Sequence, residues 1–448
     1  MRRAARGIHG AGLWRTPHRT RPPRLFERVQ ICRTVACVNL AVTAPDRLSV
    51  RSVPIPDPGD LISRLPDPAA LAWVRHGEGI VGWGEAARVT LPGGADRFAA
   101  AGRALGELFG AAGVDDRVGV PGSGPVAFGG FGFDPASPDS VLIVPRQVLG
   151  RRGGRAWLTT IGEAPDPLAL VRPPAEPSSL TWNDGALPAP AWQAAVAAAV
   201  RRIRGGALGK VVLARDLAVR AAEPIDARVL LRRLAARFPG CYTFACAGLV
   251  GATPELLIRR TGGDVESLVL AGTTARGAGP AGDAERTARL LASAKDREEH
   301  AYAAEMVRDA LAPLCAELHV PDEPEPLTLP NLIHLASPVR GRLAGDRSVL
   351  DVVAALHPTP AVCGTPTPVA AELIRELEGM DRGRYAGPVG WVDARGDGEW
   401  GIALRCAQLD GTRARLFAGC GIVADSDPAA ELAEAQTKFG VMRYALQG

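Results

Sequence analysis

The chain has 448 residues, of which 47% are hydrophobic and 22% are charged, and its formal net charge is +4. This composition is typical of a globular protein with a large core, and the length allows two or three domains. Since the first thirty residues hold eight arginines and a single acid, the rest carries about −3, which argues against a polyanion-binding surface on the folded part.

The cysteines and the hydropathy pattern exclude further classes of protein. The eight cysteines show no C-x-x-C spacing, and none lies at zinc-finger distance from a histidine. We therefore expect reduced thiols in the cytoplasm, not a disulfide framework or a zinc site. No apolar run reaches the roughly 18 residues that a membrane-spanning helix needs, so we expect no membrane partner.

Residues 1–30 are rich in Arg, Pro and Gly and lack the apolar core of a signal peptide. They are predicted to form a disordered extension, a solvated tail without a partner. An arm that binds nucleic acid is the alternative, and removing residues 1–30 would then abolish function.

Residues 31–175 contain few clustered residues of catalytic type, so we expect them to be scaffold. The pattern predicts an amphipathic helix over Asp96–Phe109 and the strands Val35–Val42, Leu71–Gly77, Val126–Phe133 and Val141–Val144. Residues 172–190 are rich in Pro and Ser and predict a linker.

Residues 190–448 alternate helices and strands. The predicted helices are Trp192–Ile203, Asp226–Phe238, Asp283–Leu318 and one that starts at Pro428. The predicted strands are Lys210–Leu217, Tyr242–Ala247, Leu256–Arg260 and Val265–Ala271, with a hairpin turn at Asp410-Gly411. No Gly-rich phosphate loop follows a strand, so the pattern predicts a mixed α/β (α+β) fold with large, mostly antiparallel sheets.

The stretch Ala418–Lys438 joins a Gly-x-Gly strand end to a helix. Asp427 is a good N-cap, and proline is favoured at the first helical position, here Pro428. Three charged residues are spaced i, i+3 and i+7 and share one helix face: Glu431, Glu434 and Lys438. This face could hold a divalent cation and the carboxylate that it binds; a solvated face with an ion pair is the alternative.

A second pair of carboxylates, Asp296 and Glu299, shares a helix face at i, i+3. Together with Glu431 and Glu434 it would make two facing pairs. Ligands that are all oxygen atoms predict Mg²⁺ or a similar hard ion and not zinc. His300 adjoins Glu299 but points elsewhere on the helix, so we expect a structural role for it.

Two isolated groups could act as base and acid. Lys210 opens an apolar strand, where burial favours the neutral amine that a general base needs. A strand-end lysine whose head reaches water is the alternative. Glu255 lies between a proline and apolar residues, where a carboxyl can stay protonated near neutral pH and serve as a general acid. A hydrogen-bonded turn glutamate is the alternative.

Arg405 lies in an apolar strand and must find an anion, for which a substrate carboxylate is one candidate. The small backbone at Gly272 and Thr273 could approach a ligand. Tyr385 is a further candidate. For His334 the default is a satisfied core histidine, and for the turn at His357 it is a structural role.

Together these residues resemble the chorismate-utilising enzyme family, which includes isochorismate, salicylate, anthranilate and aminodeoxychorismate synthases. The resemblance is strong over Trp192–Leu446. It rests on motifs that occur in the family's order: GKVVLAR, TPELL, LAGT, KDREEH, HLASPVRG, HPTPAVCGTP, ALRCA and AGCGIVADSDP. It implies one domain over residues 31–448, with two stacked lobes and helices outside, in which 31–175 is scaffold and 190–448 is catalytic.

The resemblance also implies a role for each candidate residue. Lys210 would activate water against ring carbon 2 of chorismate, and Glu255 would protonate the hydroxyl that leaves carbon 4. The Mg²⁺ ligands would be Glu299 and Glu434, supported by Asp296 and Glu431. The residues near the ring carboxylate would be Gly272, Thr273, Gly421 and Lys438. The enolpyruvyl carboxylate would be held by Tyr385, Arg405 and Gly419, with His334 lining the pocket beside the ring.

Within the family the motifs look most like isochorismate synthases. Lys210 favours water over ammonia, and Cys241-Tyr242-Thr243-Phe244 stands where ammonia users often carry a Pro-Ser-Pro-Tyr-like stretch. The assignment to isochorismate synthases is also favoured by three further stretches: FDPASPDSVLIVP, HPTPAVCGTP and Gly398-Glu399-Trp400. One departure is Cys420, where the family usually has alanine.

We therefore expect a Mg²⁺-dependent isochorismate synthase for menaquinone or catechol-siderophore synthesis, a monomer without an amidotransferase subunit. A salicylate synthase, which shares Lys210 and Glu255 and also releases pyruvate, is the alternative.

Overall fold

The computed structural model describes residues 30–32, 40–163, 173–328 and 332–448, apart from the side chains of residues 30–32 and of Lys295. The predicted extension lies outside these residues except for Gln30, and only residues 40–42 of the predicted strand Val35–Val42 are described. In the described part, no helix is both long and apolar enough to cross a membrane.

The elements before residue 172 are short strands and one long helix, with a 3-10 turn at Ile62–Arg64. In chain order they are β1 (Gln30–Cys32), β2 (Ala41–Thr43), β3 (Ser49–Ile55), β4 (Leu71–Arg75), β5 (Glu78–Trp83), β6 (Ala87–Leu91), α1 (Arg97–Gly110), β7 (Gly113–Asp116), β8 (Val126–Gly130), β9 (Ser140–Val144), β10 (Gln147–Arg152) and β11 (Arg155–Ile161).

The elements after residue 172 include longer strands and seven helices among the described residues. They are β12 (Thr181–Asp184), α2 (Ala189–Arg204), β13 (Lys210–Arg220), α3 (Ala227–Arg237), β14 (Tyr242–Cys246), β15 (Leu249–Thr253), β16 (Leu256–Thr261), β17 (Asp264–Ala275), α4 (Gly279–Ala292), α5 (Ala294–Leu311), β18 (Cys315–His319), β19 (Glu325–Thr328), β20 (Leu332–Leu343), α6 (Val349–Leu356), β21 (Gly364–Thr365), α7 (Thr367–Glu378), β22 (Pro388–Asp393), β23 (Gly398–Ile402), β24 (Cys406–Asp410), β25 (Arg413–Ile422) and α8 (Pro428–Gln447).

The described strands form two large sheets in which every pair except β3–β7 is antiparallel. One sheet has the order β1-β2-β6-β9-β8-β22-β23-β16-β17-β20-β18, with β19 also on β20. The other has the order β12-β13-β25-β24-β15-β14-β4-β5-β10-β11-β3-β7, with β21 on β13. The predicted fold class, with large and mostly antiparallel sheets, is confirmed.

The two sheets pack against each other around a core with several fully buried tryptophans. Trp73 of one sheet donates its indole N–H to the carboxylate of Glu399 in the other, at 2.8 Å. Strands from before and after residue 172 share both sheets. The division of residues 31–448 into a scaffold part and a catalytic part stays a prediction.

Four predicted helices agree with the structure, and two of them, α3 and α8, begin directly after an aspartate that caps the first turn. α1, α2 and α3 match the predicted segments to within three residues at each end. α8 begins at Pro428, and the Asp427 carboxylate accepts from the amides of Ala429 and Ala430 at 3.0 and 2.9 Å. This is the predicted N-cap.

The predicted helix Asp283–Leu318 is wrong in its extent. α4 ends at Ala292, and the next residue, Ser293, has an extended backbone and a hydroxyl that accepts from the amide of Asp296 at the start of α5. α5 ends at Leu311, and residues 315–319 form β18 because they pair with β20.

The predicted linker 172–190 is also wrong over its second half. Residues 181–184 form β12, which pairs with β13, and α2 already begins at Ala189. A Pro- and Ser-rich composition therefore does not exclude regular secondary structure here.

Candidate active site

A cavity of about 160 Å³ opens where both sheets, α8 and the loop before β22 meet. Eight of the residues that the sequence analysis singled out line it: Glu255, Thr273, His334, Tyr385, Arg405, Gly419, Gly421 and Lys438. These residues are spread over almost two hundred positions of the chain. Their convergence in one cavity makes it the candidate active site.

A larger cavity of about 560 Å³ lies at another place between the sheets. Its lining includes Trp73, Arg75, Tyr242, Arg259 and Glu399, and none of the predicted site residues. The Glu399 carboxylate in its wall is paired with Arg259 and with Arg152. The volume of a cavity alone therefore does not identify the active site, and we place the candidate site in the smaller cavity.

Two glycines of β25 let functional side chains approach the backbone closely. A Cβ on Gly421 would lie 2.9 Å from Cε of Lys210 and 3.5 Å from its Nζ. A Cβ on Gly419 would lie 3.1 Å from the hydroxyl of Tyr385. Lys210 is not itself one of the residues that line the cavity, but its amine lies next to Gly421, which is.

Glu255 provides a carboxyl that resists ionisation. It precedes β16, and its backbone carbonyl accepts from the amide of Ile402 at 3.2 Å, which fixes it against β23. The half-buried side chain opens on the cavity. Burial raises the pKa of the carboxyl to about 7, although the positive charges of Arg405 and Lys210 oppose the shift. A fraction of the carboxyl is therefore protonated at neutral pH.

His334 is a neutral imidazole that keeps one nitrogen for a ligand. Its Nδ1 lies 2.8 Å from the hydroxyl of Thr273, and its buried Nε2 has no partner among the described residues. Burial lowers the pKa of His334 to about 4, helped by the positive charges of Arg405 and Lys438. Its place in the cavity wall allows His334 to contact a ligand, and its role stays a prediction.

His300 and His357 are buried outside the cavity lining. Nδ1 of His300 donates to the carbonyl of Ala271 at 3.1 Å, so its Nε2 accepts from Ser337 at 2.8 Å. Nε2 of His357 donates to the carbonyl of Phe133 at 3.2 Å. Both contacts agree with the structural roles expected for these histidines.

Arg405 and Tyr385 line the cavity, and Arg405 lies in the bend between β23 and β24, not within a strand as the sequence predicted. Arg405 has a left-handed backbone (φ 48°), which is uncommon for a residue other than glycine. Its guanidinium makes no hydrogen bond or ion pair to the described residues, so its donors are available to an anion. The Tyr385 ring is buried and stacks on Phe417 with centroids 5.0 Å apart.

α8 brings a cation and two carboxylates to the edge of the cavity. Nζ of Lys438 donates to the carbonyl of Gly419 at 2.8 Å and pairs with Glu434 at 2.6 Å. Ligand atoms of Glu431, Glu434 and Cys420 all lie within 4.8 Å of one another. Among the described residues this is the one group of three or more metal-ligating side chains.

The carboxylates of this group suit a hard cation, whereas its thiol does not take part. Burial raises the pKa of the Cys420 thiol to about 12, and the thiol donates to the backbone carbonyl of Glu431. Burial also raises the pKa of Glu431, the hydroxyl of Ser426 opposes this, and the charge of Glu434 adds to it. A bound cation would relieve the repulsion between the two carboxylates.

The other predicted metal ligands lie on α5, outside that group. Asp296 approaches Gly272, where an added Cβ would lie 3.3 Å from the Cβ of Asp296. Gly272 forms a bulge of β17 next to the cavity residue Thr273. Glu299 lies one helical turn further along α5 and is half-buried. The roles predicted for all these residues stay predictions.

One charged residue of the cavity wall was missed by the sequence analysis. Arg382 lines the cavity and forms a buried ion pair with Glu378, four residues earlier. The i, i+4 spacing is visible in the sequence, but such pairs are usually exposed on a helix surface, so the spacing alone did not indicate a buried site.

Comparison with known proteins identifies the family. Residues 169–447 match the sequence model described as chorismate binding enzyme. The isochorismate synthase DhbC of Bacillus subtilis is 46% identical over 258 residues, which are 55% of this chain and 65% of that protein. The salicylate biosynthesis isochorismate synthase of Pseudomonas aeruginosa is 40% identical over 356 residues, 71% of this chain and 73% of that protein.

A solved structure agrees with this assignment. The menaquinone-specific isochorismate synthase MenF of Escherichia coli matches with a TM-score of 0.74 and 25% identity, over 90% of this chain and 95% of that chain. The chain belongs to the family of chorismate-binding enzymes. Enzymes of this family are generally metal-dependent.

The burial of Glu255 leads to a measurable titration. Infrared difference spectra between the wild type and Glu255→Gln should contain a protonated carboxyl band that disappears as the pH rises through about 7. The sign follows from burial, which favours the neutral acid over the carboxylate. A band that is already lost near pH ~4.5, the range of an ordinary glutamate, would contradict this assignment.

Proposed function

We propose that this protein is an isochorismate synthase, which converts chorismate into isochorismate. The observation that carries the proposal is that a half-buried acid with a raised pKa, Glu255, lines one cavity with the free guanidinium of Arg405, while the amine of Lys210 lies beside the lining residue Gly421. The isochorismate synthases among the relatives, two of which are 40% and 46% identical, support the same activity.

The cavity suits a substrate with two carboxylates. Arg405, with the hydroxyl of Tyr385 beside Gly419, would hold the enolpyruvyl carboxylate by charge-assisted hydrogen bonds. Lys438 and the Thr273 segment, with Gly272 and Gly421, would approach the ring carboxylate. Neutral His334 would lie beside the ring, where its free Nε2 can hydrogen-bond without adding charge.

The reaction needs a base and an acid at different ring positions. Lys210 takes a proton from water while the water oxygen bonds to carbon 2. The ring double bonds shift, the bond from carbon 4 to its hydroxyl breaks, and Glu255 supplies the proton that makes the hydroxyl leave as water. One water enters and one leaves, so the conversion is an isomerisation, and a proton returned from Lys210 to Glu255 resets the pair.

A metal ion fits this substrate and these residues. We propose Mg²⁺ bound by Glu299 and Glu434, with Asp296 and Glu431 in support, since all four are oxygen ligands. The ion would neutralise the ring carboxylate and withdraw electron density from the ring. In the structure Lys438 pairs with Glu434, so this lysine provides a positive charge at the same carboxylate.

The proposal also covers the compartment of the enzyme, its oligomeric state and the use of its product. We propose that the enzyme works in the cytoplasm as a monomer without an amidotransferase subunit, because water and not ammonia is its nucleophile. Its product would serve menaquinone or catechol-siderophore synthesis, and the name of the E. coli neighbour includes the first of these fates.

Incubation of the pure protein with chorismate and Mg²⁺ tests the activity. The expected product is isochorismate, without release of pyruvate, and the reverse reaction should be measurable because the bonds broken and formed are alike. Prompt pyruvate together with fluorescent salicylate would instead identify a salicylate synthase. Unchanged chorismate would contradict both activities.

Lys210→Ala should lower isochorismate formation by at least ~100-fold, the scale of general-base catalysis, while chorismate still binds. Lys210→Arg is the matched control, because arginine keeps the positive charge but cannot give up its proton. Both variants should be inactive and should bind chorismate in a calorimetric titration. Activity retained in either variant would refute the role of Lys210 as base.

Glu434→Gln should weaken Mg²⁺ binding and lower activity together, since the substitution removes an anionic ligand. Calorimetric Mg²⁺ titration and activity against Mg²⁺ concentration measure the two effects. Glu298→Gln, at an exposed position of α5, is the control and should resemble the wild type. An unchanged Mg²⁺ titration in Glu434→Gln would place the metal elsewhere.

A further inference from the structure

The strand that carries Lys210 has a gap along one edge. β13 pairs with β25 over residues 211–220, so that edge is complete. The opposite edge is covered by β21 only at residues 210–211 and by β12 only at residues 217–220. Between these two short strands the backbone groups of Val212 and Ala214 face away from β25 without a strand to pair with.

Two charged side chains occupy this gap. Nη2 of Arg382 donates to the carbonyl of Val212 at 2.7 Å, and the amide of Ala214 donates to Oε1 of Glu378 at 2.7 Å. Two further contacts complete the edge: the amide of Val212 donates to the carbonyl of Cys363, and the indole of Trp192 donates to the carbonyl of Ala214. A donor and an acceptor from side chains thus replace those of a missing strand.

Glu378 and Arg382 are bound to each other as well as to β13. Nε and Nη2 of Arg382 donate to the two carboxylate oxygens of Glu378, at 2.9 and 2.5 Å, and both side chains are at most 2% exposed. Nη1 of Arg382 donates to the carbonyl of Val362, in the loop that leads to β21. A buried ion pair of this kind is stable only while both partners and their hydrogen bonds are present.

The same pair connects the strand of Lys210 to the loop of Tyr385. The amide of Tyr385 donates to the carbonyl of Arg382 at 3.1 Å, which closes the turn that presents the tyrosine. Arg382, Val212 and Val362 all line the candidate active site. Four of the five N–H groups of Arg382 donate to other groups of the protein. The side chain therefore affects catalysis by holding other residues in place and not by binding substrate.

We propose that Glu378 and Arg382 are positioning residues: their ion pair replaces a strand at the open edge of β13 and so fixes Lys210 relative to the substrate ring. This inference rests on the proposed function for its catalytic part. A general base acts only within hydrogen-bond reach of the proton it removes, and a displacement of ~1 Å can cost on the order of 100-fold in rate.

Glu378→Gln tests the proposal. The amide oxygen of glutamine can still accept from Ala214, but the charge is lost and the amide NH₂ opposes the guanidinium of Arg382. We expect kcat to fall by at least ~10-fold while the KM for chorismate changes by less than about 3-fold, because none of the groups proposed to hold the substrate bonds to the Glu378 side chain and the backbone bond from Tyr385 to Arg382 is kept.

Glu376→Gln is the matched control, two residues earlier on α7. Glu376 pairs with Arg202 at 3.0 Å, but both side chains are more than half exposed, so this pair contributes little. The control should keep the kcat and KM of the wild type. An equal loss of kcat in both variants would overturn the proposal.

Hydrogen exchange tests whether the ion pair holds β13 in place, and it needs no activity assay. In Glu378→Gln the backbone amides of residues 210–216 should exchange faster than in the wild type and in Glu376→Gln, while the rest of the protein is unchanged. If the glutamine variant does not fold, Glu378→Asp, which keeps the charge on a shorter side chain, is measured in the same two ways. A folded variant with wild-type kcat and wild-type exchange would overturn the proposal.

The outcomes for the two proposals are separable. A wild type that leaves chorismate unchanged would contradict the proposed function, whereas the exchange of residues 210–216 would still decide whether the ion pair holds β13. A wild type that forms isochorismate, together with a Glu378→Gln variant of full kcat, would contradict the positioning inference alone.

Discussion

The antiparallel register of β13 on β25 is the constraint on which the candidate site depends. Val212 lies opposite Gly421 and Ala214 opposite Gly419, so Lys210 at the start of β13 passes over a backbone without a Cβ. Because side chains alternate between the faces of a sheet, a shift of one residue would turn Lys210 away from the cavity. α8 follows β25 directly and returns over the same strand, where its lysine binds the carbonyl of Gly419.

The electrostatics of the cavity follow from which groups are buried and which are paired. Arg405 and Lys438 supply positive charge, and burial keeps His334 neutral. Burial also raises the pKa of Glu255 to about 7, so both of its protonation states are populated near neutral pH. Negative charge is concentrated at one end, on Glu431 and Glu434, where a cation is expected. Such a cavity is prepared for a dianion before the substrate arrives, so little reorganisation is needed during the reaction.

Local signals were reliable where local chemistry decides the structure. Asp427 and Pro428 mark the start of α8 because the cap satisfies amides that no helical carbonyl can reach. The same reasoning failed between residues 283 and 318, where the cap at Ser293 interrupts the helix and β18 forms only because β20 lies beside it. It failed again at β12, because each residue of β12 pairs with a residue of β13 that is more than thirty positions away in the chain.

The sequence by itself determined the types and the order of the reactive groups and the fold class. It also determined the family, since the motifs occur in order along the chain. Only the tertiary structure decided that Glu255 and Arg405 line one cavity with Lys210 beside its wall, that Glu255 resists ionisation, and that Glu378 and Arg382 are buried against β13. The physical reason is that burial and long-range pairing depend on elements from distant parts of the chain, whereas a local pattern records only neighbours within a few residues.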